Sequence, residues 1–340
     1  MSEHPSARHA QRKSDETPPP KKLSVEDVLA SSPPITWDTL QKFKVDPRTH
    51  LMGEGWIKLG ATTQVTGGTG IGKSVFTEQL ACHVATGKPL FGRIKVHHPA
   101  RVLYLEAEND NEILKRDMSS IVAACELPVS LIKKNLEFRR LPCVPMQLYP
   151  EVLDRMLSKF KPELLILDPY QSFIGSVDIV STQAFFEWKA VMEALIAEHN
   201  FALVIVAHAP KPRERDGWND RDLIYLSAGT STVNNWVRTG CELLPVENEL
   251  NMFKLHFSKA AEYNGLSAKD GPIVREMFIE HSANVRGPYW RLCASQKRPM
   301  KLGSKGIVAK TWIDHPDWSI RRVAEECGVS KGMAERGKPK

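Results

Sequence analysis

Residues 67–74 read Gly67-Gly68-Thr69-Gly70-Ile71-Gly72-Lys73-Ser74. This is GxxxxGK[ST] in full, the pattern of a phosphate-binding loop. Its glycines let successive backbone N–H groups turn inward around phosphate oxygens. Lys73 is placed to reach the β- and γ-phosphates, and the Ser74 hydroxyl to ligate Mg²⁺. A helix starting here adds the partial positive charge of its N-terminus. The flanking sequence supplies that context. Thr62–Thr66 is a short strand candidate, and Lys73–Ala85 places Val75, Phe76, Leu80, Ala81 and Val84 at helical spacing. ATP with Mg²⁺ is the expected ligand, the competing reading being a chance glycine turn. The loop by itself speaks for binding, not for hydrolysis.

Outward from the loop, short apolar runs alternate with longer amphipathic stretches. Arg101–Glu106 (RVLYLE), Leu164–Leu167 and Ala202–Ala207 (ALVIVA) read as strands; 112–125 and Thr182–His199 read as helices. Strands separated by helices of this length imply right-handed βαβ units and a mainly parallel sheet, an α/β fold. Beyond Asn251 the strands are shorter, at Met252–Phe257 and Val274–Ile279. Three of the strands end in chemistry. Glu163-Leu-Leu-Ile-Leu-Asp168 sets a carboxylate at a strand end, 95 residues after Lys73, the arrangement that holds Mg²⁺ beside a P-loop. RVLYLE runs into Glu106-Ala-Glu108-Asn-Asp110, acids from which a base for water can be drawn. Glu106 and Glu108 share one side if the strand continues, so both stand as candidates; Asp110 and Glu112 fit a helix start better. ALVIVA ends in His208, either a γ-phosphate contact or a satisfied structural histidine.

The remainder bounds the protein more loosely. The chain has 340 residues, is 42% hydrophobic and carries a net charge of +6. That is enough apolar content for a sizeable core, and no window suits a membrane-spanning helix. From Arg286 to Lys340 there are 13 Lys/Arg and 5 Asp/Glu, a local +8; the preceding residues sum to −2. A basic segment on a near-neutral body suits a polyanionic partner or a solvated tail. Six scattered cysteines offer no CxxC pair or zinc spacing, which fits a reducing compartment and a cytoplasmic protein. Residues 1–22 are polar and Pro-rich, without the apolar core of a secretory signal, and are expected to be disordered. Ser24–Asp27 resembles a helix start. Within 318–334, Ile320, Val323, Ala324 and Cys327 mark one helical face, followed by Gly328-Val-Ser and a second helix-compatible stretch from Lys331. This is either the first half of a helix-turn-helix or a short basic packing helix.

Taken together, GGTGIGKS, LYLEAEND, LLILDP, VIVAHAPK and GTSTVNNWVRTG resemble the RecA-like ATPase core. Within that group the chain is most similar to the RepA-type hexameric replicative helicases of plasmids and related ATPases of phage and mobile elements. The resemblance covers roughly 51–279. It implies a RecA-like P-loop core over 51–285, an N-terminal arm over 23–50 after the disordered tail, and a basic helical extension over 286–340. It casts Glu108 as the catalytic glutamate, with Glu106 the fallback. Asp168 and Ser74 become the Mg²⁺ residues, His208 the γ-phosphate sensor, and Arg238 an arginine finger acting on a neighbour's ATP. Lys259 is a weaker second trans cation. The chain departs from the pattern where Ala209-Pro210 follows His208 in place of a second histidine. Segment 211–222 stands where such motors place channel loops, but its four basic and four acidic residues cancel; Trp218 is a base-stacking candidate there. The implied function is a ring-forming, hexameric, ATP-driven helicase on single-stranded DNA, with replication proteins as partners and no membrane. The alternatives are a loader or regulator that does not unwind, and a nucleotide switch in signalling or defence.

Overall fold

The computed structural model describes residues 26, 34–141, 144, 148–174, 182–208, 231–246, 249, 251–267, 271–294, 308, 311–312, 315–336 and 338. The chain divides into two units, Met1–Val45 and Asp46–Lys340. In the first, α1 (Trp37–Lys42) is a single short helix whose Thr36 cap exchanges hydrogen bonds with Thr39. The helix start read at Ser24–Asp27 lies outside the described residues, apart from Glu26.

In the second unit the apolar runs become β1 (His50–Met52), β2 (Ile57–Lys58), β3 (Thr62–Gly67), β4 (Val102–Glu106), β5 (Leu136–Arg140), β6 (Leu164–Asp168), β7 (Ala202–His208), β8 (Thr239–Pro245), β9 (Met252–Lys259), β10 (Glu276–Asn284) and β11 (Gly287–Leu292). The described helices that follow α1 are α2 (Lys73–Thr86), α3 (Asn111–Ala124), α4 (Val129–Asn135), α5 (Tyr149–Phe160), α6 (Thr182–His199), α7 (Ser231–Trp236), α8 (Ile320–Glu326) and α9 (Lys331–Arg336). β1 and β2 form a small antiparallel pair. The other nine strands form one sheet in the order β11-β10-β9-β8-β3-β7-β6-β4-β5. From β8 to β5 every pairing is parallel, while β8–β9, β9–β10 and β10–β11 are antiparallel. The fold is thus α/β and RecA-like in arrangement, a mainly parallel sheet extended at one edge by an antiparallel meander.

The central strands read as unbroken apolar runs because both faces are covered. Alternation divides them between two cores. Val102, Tyr104, Leu164, Ile166, Val204 and Val206 face the core built with α2. Leu103, Leu105, Leu165, Leu167, Leu203 and Ile205 face the one built with α5 and α6. Helix α2 packs against α3, α4 and β11 as well as the sheet, so nearly its whole circumference is buried, including Thr77, Glu78, Gln79 and His83. At the other end of the chain, α8 and α9 are joined through Gly328 (φ 59°). They share a small cluster of Val308, Trp312, Val323, Ala324 and Ala334, with Trp312 Nε1 donating to the Ala334 carbonyl at 2.7 Å.

His83 gives the core a pH sensitivity. Its Nδ1 meets the Lys88 carbonyl at 3.1 Å, its Nε2 is buried without a partner, and burial pushes its pKa down to about 4. In the unfolded chain a histidine titrates near 6.5. The stabilisation is therefore complete above about 6.5 and is lost as pH falls from there towards 4, by up to about 3 kcal/mol. Urea denaturation at pH 7.5 and 5 should show this loss, and His83→Leu should flatten it. An equal pH slope in both proteins would rule His83 out as the cause.

Candidate nucleotide site

The parallel register brings the sequence-predicted residues to one edge of the sheet. Gly67 at the end of β3 is paired with His208 at the end of β7, and Glu106 at the end of β4 with Asp168 at the end of β6. β7 lies between the loop-bearing strand and the Asp168 strand. Carboxyl ends of parallel strands are where open α/β sheets bind ligands.

The loop rises from β3 and enters α2 through Gly72, whose φ of +85° is left-handed. A side chain there would be strained, which explains the glycine at this step of the motif. Lys73 is buried and folds back on the loop, Nζ donating to the carbonyls of Gly67 at 3.1 Å and Gly68 at 2.8 Å. Burial lowers its pKa, while the charges of Asp168 and Glu108 oppose that shift. One turn into the helix, Thr77 Oγ1 lies 2.8 Å from Tyr104 Oη and donates to Asp168 Oδ2 at 3.4 Å.

Asp168 is 3% exposed. Burial raises its pKa, and hydrogen bonds from Tyr104 and Ser74, together with the Lys73 charge, oppose the rise. Tyr104 Oη donates at 2.6 Å. A hydroxyl and a carboxylate side by side at the foot of a phosphate loop form the hard oxygen set that Mg²⁺ takes. Ser74 and Asp168 therefore fit the ion on chemical grounds.

The two glutamates separate clearly. Glu106 is fully buried, and its carboxylate accepts from the backbone N–H of Glu108 at 2.8 Å and of Asn109 at 2.9 Å, and from Asn109 Nδ2 at 3.3 Å. It fastens the turn after β4. Glu108, with a side chain 57% exposed, faces His208, Oε1 to Nε2 at 3.5 Å. His208 Nδ1 is buried without a partner. Asp110 is the N-cap of α3, accepting from Glu112 and Ile113, in agreement with its reading as a helix-start acid.

Arg238 is not at this edge. It follows α7, is exposed, and its N–H donates to the Thr62 carbonyl at the start of β3. β8 runs parallel to β3, with Thr239 beside Thr63 and Leu243 beside Gly67. Lys259 Nζ is engaged at 2.6 Å by the Asn234 carbonyl. Segment 211–222, with Trp218, lies outside the described residues.

Sequence reasoning missed Tyr104, Thr77, Gln79 and Trp290. Tyr104 carried a usable signal: two residues before Glu106 on the same strand, it shares the face that meets the loop helix. Gln79 and Trp290 carried none, being 211 residues apart in the chain.

The fold and the site define a P-loop nucleotide-binding protein with a RecA-like ATPase domain. A family model described as an AAA domain matches residues 15–214, more than half of the chain, and the chain belongs to that family. No curated protein sequence matches it. Among solved structures it is similar to a KaiC-like protein from the hyperthermophilic archaeon Pyrococcus horikoshii OT3. That likeness has 16% identity and a TM-score of 0.45, covering 71% of this chain and 93% of the other. Among the described residues, no helix is long and apolar enough to cross a membrane.

The different surroundings of the two glutamates are testable by stability alone. Glu106→Ala should lower the unfolding free energy by about 2 kcal/mol, because two partly buried N–H groups lose the charged acceptor that fastens the turn. Glu108→Gln should stay within about 0.5 kcal/mol of wild type, as for an exposed position. Denaturant titration of both variants decides, and the reverse order would overturn the assignment.

Proposed function

We propose that this chain is a Mg²⁺-dependent ATPase of the RepA type, a ring-forming motor that translocates on single-stranded DNA as a replicative helicase in the cytoplasm. The observation that carries hydrolysis, beyond binding, is Glu108. It is the one glutamate of the pair left unspent by the fold, and it faces His208 at the edge where the phosphate loop begins. In this reading the loop N–H groups from Gly67 to Ser74 and Lys73 hold the phosphates. Ser74 and Asp168 hold Mg²⁺, which neutralises charge on the phosphates when bound. Glu108 orients or deprotonates the attacking water, and His208 contacts the γ-phosphate.

Arg238 supports a shared site by its position. The strand rise of about 3.3 Å per residue puts it roughly 15 Å from the phosphate loop of its own chain. Its part in hydrolysis is then played on a neighbouring subunit, as an arginine finger supplied in trans. A hexameric ring and DNA translocation follow from the resemblance to RepA-type motors. The basic residues concentrated after Arg286 add a source of attraction for a polyanion.

Lys73→Ala should abolish nucleotide binding or turnover. Arg238→Ala should retain binding and lose turnover, and mixing it with Glu108→Gln should restore part of the activity through composite sites. Absence of rescue would refute the finger in trans. ATPase rates that do not respond to single-stranded DNA, with strand displacement also absent, would refute the helicase reading and leave the ATPase.

A further inference from the structure

The β10–β11 hairpin lies outside the matched family region and closes the antiparallel edge of the sheet, yet it reaches the phosphate loop. The Trp290 indole is 1% exposed, and its Nε1–H donates to the Gly72 carbonyl at 3.1 Å. The same carbonyl accepts the first helical bond of α2, from Phe76 at 3.0 Å. The Trp290 backbone is held at both ends by one side chain. Gln79 Nε2 donates to its carbonyl at 2.9 Å, and its N–H donates to Gln79 Oε1 at 2.8 Å. Phe253 meets the indole edge-on at 4.9 Å, and the His281 ring lies against it at 4.7 Å. A Cβ built on Gly72 would stand 3.1 Å from Trp290 Cζ2 and 3.4 Å from His281 Nε2. Farther along the hairpin, Ser120 Oγ donates to the Gly287 carbonyl at 2.6 Å and Asn284 Nδ2 to the Ser120 carbonyl at 3.3 Å, tying it to α3.

Gly72 joins the phosphate loop to α2 in a left-handed conformation, and glycine is the residue that loses most freedom when ordered. A hydrogen bond and a buried ring on that one residue reduce the disorder that a phosphate must otherwise overcome. Close packing around the indole leaves little slack, so displacement of Gly72 is felt by the hairpin.

We propose that Trp290 is a positioning residue for the phosphate loop, and that through it the β10–β11 hairpin responds to nucleotide binding. The inference rests on the nucleotide-binding reading of the loop. The test uses full-length protein with Mg²⁺ and a fluorescent ATP analogue. Trp290→Phe keeps an aromatic ring and removes the N–H donor. Its affinity for the analogue should fall about fivefold, the worth of one such hydrogen bond. The KM for ATP should rise alike, with kcat within about twofold of wild type. Unchanged affinity would overturn the proposal, as would a fall in thermal midpoint with the KM and kcat of the folded protein unaltered. Hydrogen exchange on the wild-type protein gives a second readout that needs no variant. Amides of 287–292 should gain protection when a non-hydrolysable ATP analogue binds, and binding without that gain would overturn the inference while leaving the nucleotide site intact. A wild-type protein that binds no nucleotide would overturn both.

Discussion

The arrangement turns on the burial of one carboxylate. An ionised group moved out of water costs several kcal/mol unless hydrogen bonds replace its hydration. Asp168, at the end of an apolar strand and 3% exposed, receives those bonds from Tyr104, Thr77 and Ser74. Each donor imposes a condition. Tyr104 requires β4 beside β6 with Tyr104 opposite Ile166, because a slip of one residue would send the phenol to the other face. Thr77 and Ser74 require α2 to cross the end of β6 within its first turn and a half. Meeting these conditions sets the phosphate loop beside the carboxylate.

The same accounting explains the polarity of α2. A helix packed on nearly every side is ordinarily apolar throughout, yet this one buries Thr77, Glu78, Gln79 and His83. Thr77 serves Asp168 and Gln79 clasps Trp290. Glu78 finds no hydrogen-bond partner for either oxygen. Burial first, then the nearby charges of Asp117, Asp168 and Glu106, pushes its pKa well above the carboxylate range. Packing the loop helix around polar side chains costs stability that an apolar helix would retain, in a region where the loop needs a fixed platform.

Most of the carboxyl edge that carries the candidate site was legible because each of its parts ends a hydrophobic run. Gly67, Glu106, Asp168 and His208 close β3, β4, β6 and β7, and strand periodicity finds run ends well. Strand periodicity alone did not separate Glu106 from Glu108, since period-two reasoning puts them on one side, and only the resemblance favoured Glu108. The chain instead turns after Glu106, which spends its oxygens on the N–H groups of the next residues. The antiparallel edge was only partly legible. Met252–Phe257 was visible as an apolar run, but the joining of β10 to β11 depends on pairing across a short turn at Val285-Arg286. The contact of Trp290 with Gly72 depends on chain closure over 218 residues, which no local pattern carries.

Sheet polarity also constrains how copies can share a site. The phosphate loop lies at the carboxyl edge of the parallel strands, and Arg238 stands exposed at the amino edge, beside the start of β3. If Arg238 serves an ATP held by another copy in a ring of more than two, the two faces that meet are different surfaces of the same molecule, and the contact is heterologous. Such a contact repeats head to tail and closes into a ring or runs on as a helix, according to its rotation. A two-fold dimer would bring like surfaces together and pair its sites symmetrically, so a finger used in trans at every site of a ring needs the head-to-tail arrangement. Lys259 stands close enough to Arg238 for the two charges to repel, one of the causes that lower the lysine's pKa after burial. In the proposed trans arrangement, an incoming anionic phosphate would relieve that repulsion.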